Sequence, residues 1–212
     1  TAETGGIIFV RSGGVTSNTV LGSNGEEYVD AGGLAVDQTV GAQATMVVTS
    51  SGQIGGKTLV EGGILSGGVV SSGAGVSVES GGVASGVTIT GGGAVDVQAG
   101  GSAQTLAVIE NGIGTIEAGG QASDVTITHA RLNNAGSVSN GMVTDLGEER
   151  VLSGGQDTDM IVANHGHEVV SAGGTAFHTT YDANGFGYIN GTSDDAVVNS
   201  NGILFVQKGG VA

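Results

Sequence analysis

Hydrophobic and polar residues alternate along this chain in short runs, and a turn follows almost every run. Val87-Thr88-Ile89 and Val95-Asp96-Val97 are representative: apolar residues recur at every second position, the period of a strand with one buried face, and the β-branched side chains suit a pleated surface. Both runs lie within GGVASGVTITGGGAVDVQAGG, residues 81–101, which begins and ends on a double glycine. No segment holds the ten or more residues of 3.6-residue periodicity that a helix needs, so the pattern predicts an all-β chain.

The double glycines recur. Aligned on the second residue of each GG-like step, the chain reads Gly14, Gly33, Gly52, Gly68, Gly82, Gly101, Gly120, Gly136, Gly155, Gly174, Gly191 and Gly210, and seven of the eleven intervals have the same length as that from Gly14 to Gly33. A glycine-rich phosphate loop would occur once, whereas a phrase repeated along the chain builds a shape. Short strands at this period predict a parallel β-helix, or β-solenoid, of about 11 coils of about 19 residues, one solenoid over residues 1–212. At about 4.8 Å per coil the rod would be roughly 50 Å long. Coils are regular over 1–128 and more divergent over 129–212. The shorter intervals from Gly52 to Gly68, from Gly68 to Gly82 and from Gly120 to Gly136 predict coils that locally narrow or bend the rod.

A tight corner between strands needs either a positive φ or close packing of one backbone on the next, and glycine tolerates both. Gly14, Gly33, Gly52, Gly82, Gly101, Gly120, Gly155, Gly174 and Gly210 are therefore read as corner residues. Ala35, Ala84, Ala103 and Ala176, two positions further on, fit a narrow interior. The absence of proline agrees, because ladders on every face leave few positions that can lose an N–H.

Composition sharpens this picture. With 44 Gly in 212 residues the chain would read as low complexity, yet it is 38% hydrophobic and only 12% charged, the opposite of a disordered composition. A net charge of −15 makes nucleic acid and anionic membrane surfaces poor partners. No apolar run approaches the eighteen or so residues that span a bilayer, so the expectation is a soluble stretch whose export signal or anchor lies outside it, with no direct membrane insertion. Without cysteine there is no disulfide framework.

The run SGGVASGVTITGGGAVDVQAGGSAQTLAV resembles the glycine-rich, Ser/Thr-rich repeats of self-associating autotransporter adhesins, the family of antigen 43 and the adhesin involved in diffuse adherence. The shared phrase, (S/A)GG-x-A-x-x-x-x-V, is clearest at 80–89, 99–108, 118–127 and 171–181. The resemblance implies a right-handed β-helix, secreted to the outer surface of a Gram-negative cell as the passenger of a longer protein with a C-terminal barrel. It also implies association with other copies of itself, side to side, or with cell-surface and host ligands, in aggregation, biofilm and virulence. Some relatives carry sugars on Ser and Thr.

Large side chains collect in the divergent coils. His165, His167, His178, Asp182, Asn184, Phe186 and Tyr188 are not required by the repeat and form a candidate contact patch, while Tyr181 occupies the apolar slot held by Val40 and Val108 in other copies. The sequence Asn164-His165-Gly166-His167 puts two imidazoles two residues apart, but its turn residues and the missing third ligand argue for solvated histidines, and neither a metal nor a cofactor is expected. Three functional readings follow: a non-enzymatic adhesin, a spacer that presents another domain, and a glycan-active hydrolase or lyase. The last would use carboxylate pairs such as Asp157 with Asp159, Asp194 with Asp195, or Glu148 with Glu149 beside Arg150, with Asp157 and Asp159 sharing a face if extended. Aromatics make up 3% of the chain and tryptophan is absent, which disfavours a carbohydrate-processing groove. The adhesin reading leads, and catalysis is not expected.

Overall fold

The computed structural model describes residues 1–212, the side chain of Ser50 excepted, and every regular element in it is a strand. Each coil of the chain supplies one segment to each of three parallel ladders. Coil 1 contributes Ile7–Val10, Val15–Ser17 and Val20–Leu21 to the first, second and third ladders, and coil 11 contributes Thr192–Asp194, Val197–Val198 and Ile203–Val206. The third ladder forms a separate sheet of 11 strands, and the first two merge into one sheet because Thr45–Gly55 and Ile64–Val70 each run through both. The chain is a parallel β-solenoid with coils of about 19 residues, as the repeat predicts.

Side chains alternate between interior and surface along most strands. In Ala94–Val97 and Ile113–Ile116 the second and fourth residues are buried and the others face out. Stacking in register turns these positions into continuous columns, such as Val78–Val97–Ile116 in the third ladder and Val108–Ile127–Val143–Val162 in the second. A fully buried Val or Ile contributes about 1.5–3 kcal/mol, which a single coil could not realise without its neighbours.

The two glycines of each corner do different work. Gly100 has φ +78°, a region that favours glycine, and its amide donates to the carbonyl of Gly119 in the next coil at 2.9 Å. Gly101 has an ordinary φ, but a Cβ there would lie 2.4 Å from the carbonyl oxygen of Val78 in the preceding coil. Other corners dispense with glycine. Between the first and second ladders the left-handed residue is Thr105, Asp124, Asn140, Asp159, His178 or Asp195 in successive coils from coil 6, and here an outward side chain meets only solvent or a neighbouring corner.

The repeat changes phase once. In coils 1 to 3 the double glycine precedes the second-ladder strand, as at Gly33 before Leu34–Val36, whereas from coil 4 it precedes the first-ladder strand, as at Gly82 before Val83–Ser85. The glycine step of coil 4 is therefore Gly62-Gly63. A Cβ on Gly63 would lie 2.4 Å from the carbonyl oxygen of Gly41, the contact expected of a corner. Gly68, aligned with the glycine steps in the sequence, instead lies with Gly67 at the bend within Ile64–Val70 that passes from the first ladder to the second, both at positive φ. The short interval from Gly68 to Gly82 disappears with it: Ile64 pairs with Val83, one full coil on.

The shortened step before Gly136 is real, since Gln121 pairs with Ser137 whereas Ser102, one coil earlier, pairs with the more distant Gln121. The deletion falls in corners. Only Ala135 and Gly136 join Arg131–Asn134 to Ser137–Ser139, while Glu117, Ala118, Gly119 and Gly120 join Ile113–Ile116 to Gln121–Ser123. All strands keep their partners, so a short coil trims its corner and leaves the ladder intact.

Replacing Gly101 by Ala should destabilise the chain by about 1–3 kcal/mol, because the methyl group can enter only by pushing two coils apart. Ser102→Ala, the adjacent outward position, should stay within about 0.5 kcal/mol in the same denaturant titration.

Candidate interaction surfaces and a buried carboxyl cluster

Charge is distributed unevenly around the rod. The second-ladder strands contain no Asp, Glu, Lys or Arg in any coil. Along the first ladder the outward charges are Glu26 in coil 2 and Asp194 in coil 11. From coil 3 to coil 10 that face is made largely of small apolar residues, Ser, Thr and Gln, with Ser85, Gln104, Ser123, Ser139 and Thr158 in one register column. Three of the five basic residues, Lys57, Arg131 and Arg150, project from the third ladder, where Glu148 pairs with Arg150 and lies 3.9 Å from Arg131. The exposed acids otherwise sit mostly at corners, so two of the three faces are almost free of charge.

The third ladder changes character towards the C-terminus. His167, Phe186 and Ile203 form one outward column, and Val169, Tyr188 and Phe205 form the other. Rings stack coil upon coil: His167 on Phe186 at 5.2 Å between centroids, His167 on Tyr188 at 6.1 Å and Tyr188 on Phe205 at 5.2 Å. His165, Asp182 and Asn184 border this array at the preceding corners, with the His165 amide donating to the carbonyl of Asn184. His178 does not join it. It lies at the corner between the first and second ladders, 3.5 Å from both Asp159 and Asp195. A second stack, Phe9 on Tyr28 with Arg11 over the Phe9 ring, occupies the first ladder of coils 1 and 2, and sequence reasoning passed over it.

The carboxylate pairs considered for catalysis are split by the strands that carry them. Glu148 faces out and Glu149 is fully buried. Asp157 is fully buried, whereas Asp159 follows the end of the strand with φ +57° and is exposed, so the two do not share a face. Asp194 and Asp195 are both exposed. Among the described residues no group of three or more His, Cys, Asp or Glu is arranged to hold a metal ion.

What the pairs leave behind is an interior cluster that their spacing did not reveal. Glu149 of coil 8 stacks directly beneath Glu168 of coil 9, and Asp157 enters the same space from the first ladder. Tyr181 is core, as its apolar slot implies, but its hydroxyl donates to Glu168 Oε2 from the coil above. Its ring fits because the inward position of the third ladder in coil 10 is Gly187, where a Cβ would meet the ring at 2.5 Å. The Thr179 hydroxyl lies 3.2 Å from Glu168 Oε1 and 3.4 Å from Asp157 Oδ1, and Asn134 Nδ2 donates to Glu149 Oε1 at 3.3 Å. Glu149 Oε2 and Asp157 Oδ2 have no partner.

Removal from water, reinforced by the neighbouring carboxyls, pushes Glu149 up to about 8 and Asp157 well above the usual carboxylate range. Burial raises Glu168 to about 7, against the opposing pull of the Tyr181 and Thr179 hydroxyls. Glu27, alone in the interior of coil 2, is also raised by burial, with the Thr16 hydroxyl at 2.6 Å working the other way.

A crystal structure of a TibC-catalyzed hyper-glycosylated TibA fragment superposes on the chain with a TM-score of 0.71 and 27% identity, over 99% of this chain and 81% of that one. The chain has the solenoid of an AIDA-type autotransporter adhesin passenger. No protein-family model matches the sequence, and no curated protein matches it. The likeness to the TibA fragment extends along 99% of this chain, through both the regular and the divergent coils, and supports an adhesin-like role.

Tyr181→Phe keeps the ring and removes the donor to Glu168, which should cost about 1–3 kcal/mol at pH 6 in a denaturant titration. Asp159→Asn, two residues from Asp157 in sequence but outside the cluster, should change stability by less than about 0.5 kcal/mol.

Proposed function

We propose that the chain is a non-enzymatic adhesin module, displayed on the outer surface of a Gram-negative bacterium, that associates with other copies of itself along the side of the rod. The observation that carries this reading is the segregation of charge. With −15 on each copy, two rods repel unless the surfaces that meet are neutral. The first and second ladders supply such a surface over coils 3 to 10. There the corner between them is itself uncharged in coils 4 to 6, where Gly67, Gly86 and Thr105 occupy it.

The chemistry of that surface suits many weak contacts. Rows of hydroxyls and side-chain amides each contribute about 0.5–1.5 kcal/mol net, and become firm when a long register of them engages together. The same hydroxyl rows offer attachment points for sugars, and the TibA fragment that the chain resembles is hyper-glycosylated. Two of the three carboxylate pairs that a glycan-cleaving enzyme could use, Glu148 with Glu149 and Asp157 with Asp159, are split between interior and surface, which favours adhesion over catalysis.

Sedimentation velocity over a concentration, salt and pH series tests the proposal. Mass should rise with concentration, more readily at high salt or mildly acid pH, where residual repulsion is screened or reduced. Gln104→Glu with Gln121→Glu, which places charge on the neutral first ladder, should abolish association. Asn133→Asp, which adds an acid to the third ladder opposite Arg150, should leave it unchanged. A chain that is monomeric under every condition overturns the reading.

A further inference from the structure

The carboxyl cluster of coils 8 and 9 has no role on the surface, and its geometry imposes an accounting of protons. Three acids, none with any exposed surface, offer six oxygens to an interior closed to bulk solvent. The donors aimed at them are the Tyr181 and Thr179 hydroxyls, one N–H of Asn134 and the Phe177 backbone amide, and Asp157 and Glu168 share a hydrogen bond that itself requires a proton on one of them. Glu149 Oε2 and Asp157 Oδ2 receive none. Fully ionised, the cluster would hold three negative charges with no cation among them, an arrangement whose desolvation cost nothing nearby offsets.

From Arg131–Asn134 Leu132 and Asn134 face inward, from Glu148–Val151 Glu149 and Val151, from His167–Val170 Glu168 and Val170, and from Gln156–Thr158 Asp157. From above come Thr179, Tyr181 and Ser193, all buried. Arg131, Arg150 and Glu148 lie on the outer surface, His167 and Asp194 face outward, and Asp159 is exposed at its corner. No Lys, Arg or His is buried among the described residues.

We propose that this cluster is a proton-operated lock: the divergent coils stay stacked while the interior carboxyls hold their protons, and loosen when alkaline conditions remove them. Each coil touches only its neighbours, so charging coils 8 and 9 weakens that stretch while the apolar interior of coils 5 and 6 stands. The sign follows from linkage. All three folded-state values are raised above those of an unfolded chain, so the stabilisation is complete below about pH 4 and is lost as pH climbs through the folded values of about 7 and 8.

Hydrogen exchange on the whole chain, corrected for the intrinsic pH dependence of amide exchange, reads the lock directly. Between pH 6 and pH 9, protection in residues 131–198 should fall by about tenfold or more relative to residues 83–128, tenfold corresponding to the loss of about one proton's unit of linkage. Glu149→Gln combined with Glu168→Gln should flatten that difference. Parallel behaviour of the two segments in the unmodified chain, or a difference that survives in the Gln variant, overturns the proposal. Should the variant fail to fold, infrared spectroscopy of the unmodified chain decides: a neutral-carboxyl carbonyl band present at pH 6 and gone by pH 9 supports the lock, and no such band at pH 6 refutes it.

Discussion

The constraint on which the rest depends is the approach of one coil's backbone to the corner of the next. At Gly101 and Gly82 the carbonyl oxygens of Val78 and Val60 lie where a Cβ would have to be, at 2.4 and 2.3 Å. That closeness lets the strands on all three faces meet their partners at hydrogen-bonding distance, and the columns of Val and Ile follow from the stacking. The glycines that look wasteful in composition are the price of a rod that has almost no loops. Where a coil is short, the corner gives way and the ladder does not, which ranks the two clearly.

Much of this was legible because the recurring double glycine states the length of a coil directly, and because period-two alternation fixes which side chains point inward. Ala35, Ala84, Ala103 and Ala176 are all buried, and Tyr181 lies in the core. The phase change was not legible. Gly67-Gly68 aligns with the coil-to-coil steps in the sequence but turns the chain from the first ladder to the second, and the pairing of Ile64 with Val83 marks Gly62-Gly63 as the step that starts the coil. The candidate patch was partly legible: His165, His167, Phe186 and Tyr188 do gather, but His178 lies one corner away, because a short step past a turn is a different face of the solenoid.

The buried acids escaped notice for a related reason. Acidic pairs close in sequence were weighed as partners for each other, whereas in a solenoid the partner of an inward residue lies one coil away. Glu149 and Glu168 are separated by that interval and stack. Reading every inward position against its counterpart in the next coil would have found them. The same comparison shows how unlike the two ends of the rod are inside, with one isolated acid, Glu27, in coil 2 and three in coils 8 and 9.

The phase change also fixes directions around the axis. Phe9 and Tyr28 occupy the four-residue strand of their repeat, and so do Phe186, Tyr188 and Phe205, yet the first pair projects from the first ladder and the second group from the third. A repeat copied without the slip would have put all five rings on one and the same face, at its two ends. Rotated by one face, they become two separate landmarks at opposite ends, facing different ways. A cylinder built from near-identical units thereby acquires a front, a back and a sense of direction, and a neighbour lying alongside meets a different landmark when it is turned end for end.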